Sequence, residues 1–369
     1  MKVFFYVQHL LGIGHLKRAS TVARAMREAG IQVTLASGGL PLPGIPVDVQ
    51  LAPMSAADMT FRSLVDQGGR VVDDEWKRRR AATLIDVWRA SRADALVLEL
   101  FPFGRRQMRF ELLPLLEDAQ RVAKRPLVVC SVRDVIQSKP GRDEETVGLV
   151  ERYFDRVMVH GDPRVVPFER TFAAARRIES RVHYTGYVVD EVPPGNGSRG
   201  EVLVSAGGGA VGKRLLETAL LAREHTLLRG ATWRLLAGVN ASDADFRALS
   251  RKAGPGVIVE RSRDDFQAML GAAALSISQA GYNTVAETLK ARVRALFVPF
   301  AGDGESEQPL RAGLLAARGA ATMLPEDQLS PANLAAAVNR AAKAPQPSAD
   351  IVDLDGARKS AELMKQWLS

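Results

Sequence analysis

One cysteine in 369 residues, Cys130, rules out a disulfide within the chain, and its place at the end of the apolar run PLVVC makes it a core thiol. Such cysteine poverty suits a reducing compartment. Long apolar runs are missing too, none coming near the roughly 20 residues of a membrane-spanning helix. The amino-terminal MKVFFYVQH carries one lysine and a short apolar run, without the length or the cleavage site of a signal peptide. A cytoplasmic protein is therefore expected, any membrane contact being peripheral and at the inner face. Aromatic residues make up only 6% and the arginines are dispersed, which argues against a nucleic-acid surface.

What is present is ordinary for a globular protein: 46% apolar and 25% charged residues. The length calls for two domains. A net charge of +8 favours anionic partners such as phosphates or an anionic bilayer surface.

The first half opens with a strand, Val3–Val7, the turn QHLLGIGH, and an amphipathic helix, Leu16–Ala29, capped by Gly30. Lys17 stands where a dinucleotide fingerprint needs its third glycine, and the second strand, Gln32–Ala36, ends in SGG with no acid to hold a ribose. No nicotinamide or flavin cofactor is expected. Gly12 and Gly14 still let a ligand approach the backbone closely. His15 opens the helix and is a candidate general base, against the plainer role of capping or packing. Pro41, Pro43, Pro46 and Pro53 mark a surface loop around a short strand near Val47–Leu51. Two helical segments are expected next, the clearer being DDEWKRRRAATLIDVWRA. Its basic run, Lys77–Arg80, is a solvated face or, more sharply, a contact for anionic lipid.

Strand Ala95–Leu98 ends in Glu99, so Glu99 and Arg105 belong to the ligand edge and could bind an acceptor. Strand Leu127–Ser131 leads to Arg133 and Asp134, and strand Arg156–Val159 to the turn His160–Gly161–Asp162, where His160 is a second candidate for chemistry. Residues 1–190 thus form the first domain, the Pro- and Gly-rich stretch 191–200 a linker, and 201–350 the second domain. A terminal helix at 351–369 can return to the first domain.

The second domain repeats the plan. Strand Glu201–Val204 runs into SAGGGAVGKR, whose Ser205, Gly207, Gly208 and Gly209 suit a phosphate cradle. Gly207 to Lys213 has the P-loop spacing, but Arg214 replaces the Ser/Thr metal ligand, which argues against ATP hydrolysis. Further on, Ala274–Ser278 is a strand that breaks at Ala280–Gly281 into a helix whose first turn holds Tyr282, Asn283 and Thr284. A helix start offers unpaired N–H groups to an anion, with Glu287 one turn further in. Strand Leu296–Phe300 then brings Glu305, Glu307 and Gln308 to the same edge, where open α/β sheets bind ligands. This stretch suits a nucleotide-sugar donor. The triplet Asp353–Asp355 looks like a metal-binding DxD only by coincidence, and no metal site is expected.

These residues resemble the GT-B glycosyltransferases, most closely the peptidoglycan-precursor N-acetylglucosaminyltransferases (MurG-like) and their relatives. The specific part of the resemblance is confined to about 120 residues of the chain, those around the GIGH loop, the SAGGGA loop, QAGYNTVAE and the ESEQ turn. It implies an α/β fold of two Rossmann-like domains facing each other across a cleft. It also implies that Gly12, Gly14 and His15 meet acceptor and sugar, and that Ser205 and Gly207–Gly209 bind the donor diphosphate. Ala280–Tyr282 matches the family's Ser-Gly-Ala helix start, Glu287 its ribose ligand and Glu307–Gln308 its sugar-contacting turn. A uracil pocket maps near Val259–Arg261. Gln279 stands eight residues before Glu287 where many retaining relatives have a glutamate, which favours inversion. The expected activity is transfer from a UDP-sugar such as UDP-GlcNAc to a hydroxyl of a lipid-linked or otherwise anionic acceptor, without metal or cofactor. A nucleotide-sugar 2-epimerase or hydrolase of the same fold is the alternative, kept open by the HGD turn, beside a non-catalytic sugar-nucleotide binder.

Overall fold

The computed structural model of the chain describes all residues except 11, 59–62, 138–140, 192–199, 207–211, 239–240, 264 and 303–304. Two compact units are present: Met1–Val188 with Asp355–Ser369, and Val189–Leu354.

In the first unit the chain runs through β1 (Lys2–Val7), α1 (Gly14–Glu28), β2 (Gln32–Ser37) and β3 (Val49–Gln50), then β4 (Met54–Ala56), β5 (Leu64–Asp66) and α2 (Asp74–Ser91). It continues with β6 (Ala95–Glu99), α3 (Arg109–Arg121), β7 (Leu127–Arg133), α4 (Asp143–Tyr153), β8 (Arg156–His160) and β9 (Val182–Tyr184). Between the proline-rich loop and α2 the described residues form the small antiparallel hairpin β4–β5, where a helical segment was expected. Two three-residue strands leave too little periodicity to be told from a loop.

The main sheet is parallel with order β3-β2-β1-β6-β7-β8-β9. Its strands are apolar on both faces because helices cover both, as parallel sheets require. Phe4 and Tyr6 face a core shared with α2, α3 and α4, while Val3, Phe5 and Val7 face α1. The terminal helix, here the last of the chain, α11 (Gly356–Leu368), joins that second face through Ala361 and Met364. Gly356 lets it start there, because a Cβ would lie 2.4 Å from the Gly186 carbonyl oxygen.

The second unit comprises β10 (Glu201–Ser205), α5 (Lys213–Ala222), β11 (Trp233–Ala237), α6 (Asp243–Lys252), β12 (Val257–Arg261) and α7 (Phe266–Ala272). After these come β13 (Ala273–Ser278), α8 (Tyr282–Lys290), β14 (Ala295–Phe297), α9 (Glu307–Ala317), β15 (Thr322–Met323) and α10 (Pro331–Lys343). Its parallel sheet has the order β12-β11-β10-β13-β14-β15. Each sheet therefore has one place where successive connections depart in opposite directions, between β1 and β6 and between β10 and β13. At such switch points the loops diverge and leave a crevice at the carboxyl ends of the strands.

Candidate active site

In the first unit the switch point is occupied by two side chains that the strands deliver from either side. His15 follows β1 in the first turn of α1, and Glu99 ends β6. His15 Nδ1 lies 2.9 Å from Glu99 Oε1. Arg18, one turn along α1, donates from its guanidinium to the same carboxylate oxygen and also lies 3.2 Å from His15 Nδ1. An ionised carboxylate only accepts, so the shorter contact, to Glu99, is a hydrogen bond when Nδ1 carries the proton; Arg18, itself only a donor, then touches Nδ1 without bonding to it. The lone pair is then on Nε2, which has no protein partner among the described residues.

Electrostatics keep this arrangement in one state near neutral pH. Burial pushes the Glu99 carboxyl up, but Arg18, the hydrogen bonds from His15 and Ser131, and the His15 interaction outweigh it and hold it at about 2. Burial, reinforced by the nearby charge of Arg105, lowers His15 to about 3 despite its bond to Glu99. An ionised glutamate thus backs a neutral imidazole that can still accept a proton. Arg105 sits at the rim in a left-handed backbone conformation with φ 61°, its Nε donating to the Gln8 carbonyl at 2.8 Å. Burial, and then the charge of neighbouring Arg133, lowers it to about 10. Two guanidinium groups that repel each other beside the imidazole make this rim attractive to an anion. Gly12 is exposed, and the space a Cβ would take is open.

Two residues expected on the acceptor side are placed differently. Glu99 is only 4% exposed and its carboxylate is consumed by His15, Arg18 and Ser131, so it orients His15 rather than touching an acceptor. His160 is completely buried, with Nε2 2.9 Å from Ser131 Oγ and Nδ1 2.8 Å from Thr185 Oγ1. No substrate atom can reach it, which removes the observation that kept an epimerase or hydrolase open. Arg18 and Ser131 were not singled out from the sequence. For Arg18 the signal was there: it lies on the core-facing stripe of α1 with Leu16, Ala19 and Val22, where a charge must have a buried partner.

In the second unit Ser205 ends β10 in register with Ser278 of β13, so the two flank the switch point. Gly207, Gly208 and Gly209 lie outside the described residues. Gly212, just after them, has a packing reason to be glycine: a Cβ would come within 2.0 Å of the Ala206 Cβ. Gly281 differs, having ordinary backbone angles as the N-cap of α8 and open space where a Cβ would be. It adds no side chain at the N-terminus of α8, whose first turn holds Tyr282, Asn283 and Thr284 and whose dipole turns its positive end toward this edge of the sheet.

Glu287 lies on the buried side of α8, 4% exposed, where its Oε1 accepts from Gln267 Nε2 at 3.3 Å. Gln308 is fixed by its amide oxygen, which accepts from the Ala280 N–H at 3.0 Å and the Phe300 N–H at 3.1 Å. Its NH₂ group is thereby left as the donor end, and the ends of β13 and β14 are tied together. Glu307 is buried in the first turn of α9. Glu305, expected as a loop carboxylate, caps that helix by accepting from the Glu307 N–H at 2.6 Å. Arg261, at the end of β12, pairs with Asp243, donates to the Ala241 carbonyl at 3.1 Å and stacks 4.7 Å from the centre of the Phe246 ring. These contacts hold it as a wall of the loop beside β12. Among the described residues no group of three His, Cys, Asp or Glu side chains is placed to hold a metal ion. Nor is any helix there long and apolar enough to cross a membrane.

Comparison with known proteins agrees with this architecture. Residues 207–364 match the glycosyltransferase family 28 C-terminal domain. Three curated relatives share the name UDP-N-acetylglucosamine–N-acetylmuramyl-(pentapeptide) pyrophosphoryl-undecaprenol N-acetylglucosamine transferase. That of Nitrosococcus oceani is 32% identical over 184 residues, covering 47% of this chain and 50% of the relative. That of Ralstonia nicotianae is 44% identical over 72 residues, 20% of either chain. The chain thus spans about half the length, or less, of the curated relatives it matches. Acinetobacter baumannii MurG aligns over 99% of this chain and 100% of its own with a TM-score of 0.59 and 18% identity. The spinosyn rhamnosyltransferase SpnG complexed with thymidine diphosphate aligns over 100% of both chains with a TM-score of 0.62 and 16% identity. The chain has the GT-B glycosyltransferase fold, resembles the MurG-like glycosyltransferases, and matches the glycosyltransferase family 28 C-terminal domain over residues 207–364.

Proposed function

We propose that the protein transfers a sugar from a nucleotide diphosphate sugar, a UDP-sugar such as UDP-GlcNAc, to a hydroxyl of an anionic or lipid-linked acceptor. The observation that carries this reading is the His15–Glu99 pair at the switch point of the first sheet: a neutral imidazole with its lone pair on Nε2 and an ionised carboxylate behind it. In the reaction the acceptor O–H proton passes to His15 Nε2 while its oxygen attacks the anomeric carbon. The bond from that carbon to the diphosphate breaks with inversion, and the nucleotide diphosphate leaves with the electron pair. As the imidazole gains charge, Glu99 stabilises it.

The second unit holds the donor. The N-terminus of α8 stabilises charge growing on the diphosphate, Glu287 takes the ribose hydroxyls, and the Gln308 NH₂ group donates to a sugar hydroxyl. Helix N–H groups suffice for that charge, so no metal is assigned. Arg105 and Arg133 favour an acceptor with negative charge, such as the phosphates of a lipid carrier, and with such an acceptor the protein would work as a peripheral enzyme at the inner membrane face. The curated relatives, whose name includes a pyrophosphoryl-undecaprenol acceptor, support this choice.

The test is a panel of nucleotide sugars given to purified protein with a lipid-diphosphate or soluble acceptor, reading diphosphate release and product configuration. Transfer from a UDP-sugar that is lost in His15→Ala supports the reading. Diphosphate release that ignores His15, or preference for a purine nucleotide sugar, overturns it.

A further inference from the structure

Behind Glu99 lies a second row of polar side chains that the proposed chemistry does not touch. Ser131, Thr185 and His160 are each fully buried, and they come from β7, the segment after β9, and β8. The strand register explains their meeting, since Glu99 of β6 pairs directly with Ser131 of β7. Ser131 Oγ is 2.6 Å from Glu99 Oε2 and 2.9 Å from His160 Nε2, and His160 Nδ1 is 2.8 Å from Thr185 Oγ1. Four polar groups in a row through a parallel-sheet core are costly to desolvate unless every one is bonded.

Their proton directions follow from the chain's end. An ionised Glu99 only accepts, so the Ser131 hydroxyl donates to it. With its one proton used, Ser131 can take a bond only from the His160 Nε2–H. That fixes the His160 tautomer and leaves Nδ1 as an acceptor for the Thr185 hydroxyl at 2.8 Å, the shortest of that hydroxyl's three acceptor contacts, ahead of the Gly186 carbonyl at 3.0 Å and the Val159 carbonyl at 3.4 Å. On the far side, the other Glu99 oxygen takes the His15 Nδ1–H.

We propose that Thr185, His160 and Ser131 are positioning residues that hold Glu99 in one orientation and thereby lock His15 as the Nδ1–H tautomer with its Nε2 free. The inference rests on the reading of His15 as the base, but the tautomer can be observed without any turnover. Ser131 supplies the donor that opposes the pull of Arg18 on the carboxylate. Without Ser131 the carboxylate rotates toward Arg18, and the His15 ring loses the acceptor that selects its tautomer.

The experiment is ¹⁵N NMR of the imidazole nitrogens of the full chain, labelled at its five histidines, with His15→Gln to assign the His15 signals. In the wild type, Nδ1 of His15 should resonate as a protonated and Nε2 as an unprotonated nitrogen. In Ser131→Ala the two signals should move toward the average of exchanging tautomers, and the melting temperature should fall by a few degrees because Glu99 and His160 each lose a buried partner. His160→Gln, which keeps a donor at the Nε2 position, should stay close to wild type, whereas His160→Leu should behave as Ser131→Ala.

In transfer assays Ser131→Ala should lower kcat about tenfold to a hundredfold, the usual range for such supporting groups, with the KM for donor unchanged. If Ser131→Ala keeps the wild-type His15 spectrum, the relay is overturned whatever the activity. If the wild type shows the expected tautomer but consumes no nucleotide sugar, the reading of function fails and the relay stands.

Discussion

The two sheets of this protein are built on one plan and place their candidate residues at the same topological point, yet the two sites are chemically opposite. At the β1/β6 point the polar groups are side chains with defined proton positions: His15, Glu99, Ser131 and Arg18 in direct contact. At the β10/β13 point they are chiefly backbone N–H groups, a bare glycine and an amide whose oxygen is tied to two strands. A site that must move a proton needs titratable groups held in one state, while a site that must bind a phosphate needs fixed dipoles that never titrate. The difference teaches which half does which task, because the topology alone is the same in both.

The comparison breaks most visibly at His15. Its replacement by alanine should lower kcat by about a hundredfold to ten-thousandfold, the span attributed to general-base catalysis, while nucleotide affinity measured by calorimetry stays at the wild-type value. A matching loss of affinity would mean that His15 belongs to donor binding, and the division between the units would collapse. Glu287→Gln should do the reverse. The change preserves shape but removes the charge from hydrogen bonds worth about 1.5–3 kcal/mol, so UDP should bind roughly tenfold to a hundredfold more weakly. An unchanged dissociation constant would take the ribose away from Glu287.

A smaller effect separates glycines that serve packing from glycines that serve a ligand. Gly212→Ala forces a methyl against Ala206, where the Cβ atoms would be 2.0 Å apart. Overpacking of this kind costs about 1–3 kcal/mol, so the melting temperature should fall by several degrees. Gly281→Ala meets nothing within 4 Å and should leave the melting temperature nearly untouched. Its methyl instead occupies the approach to α8, so nucleotide affinity should drop. Equal melting temperatures for the two variants would refute the distinction.

Much of this arrangement was legible in the sequence because each central strand is a continuous apolar run ending at a polar or glycine-rich loop. That pattern places Glu99, His160, Ser205 and Gly281 at strand ends without further help. It does not say which way a side chain points once there. Glu99 and His160 were therefore assigned to the acceptor, whereas the register of β6, β7 and β8 turns both into the interior. Arg18 was hidden for the opposite reason, since a helical arginine is assumed to be solvated unless its place on the apolar stripe is counted. The hairpin β4–β5 lacked any signal, its strands being three residues each. The SAGGGA loop cannot be compared in the same way, because residues 207–211 lie outside the described residues.

The smallest effect concerns stability against pH and depends on the histidines alone. His15 and His160 are both lowered to about 3 in the folded chain, by burial first and then by Arg105 for the former and Arg18 for the latter. Unfolded, each returns to about 6.5, so below that pH the unfolded chain binds more protons than the folded one. Their contribution is fully present above pH 6.5 and is lost progressively as pH falls toward 3. Between pH 6.5 and 5 the carboxylates have scarcely begun to titrate, and this window isolates the imidazoles. Each of these two histidines, His160 fully and His15 largely buried, approaches a slope of at most about 1.4 kcal/mol per pH unit at the acidic end of that window. Urea unfolding followed by tryptophan fluorescence reports mainly the first unit, which holds Trp76, Trp88 and Trp367. His160→Gln should flatten part of the decline while keeping the Ser131 bond, the remainder coming from His15 and from His9 and His183, which burial also lowers. A slope that does not respond to His160→Gln would return the buried relay to an ordinary packing role.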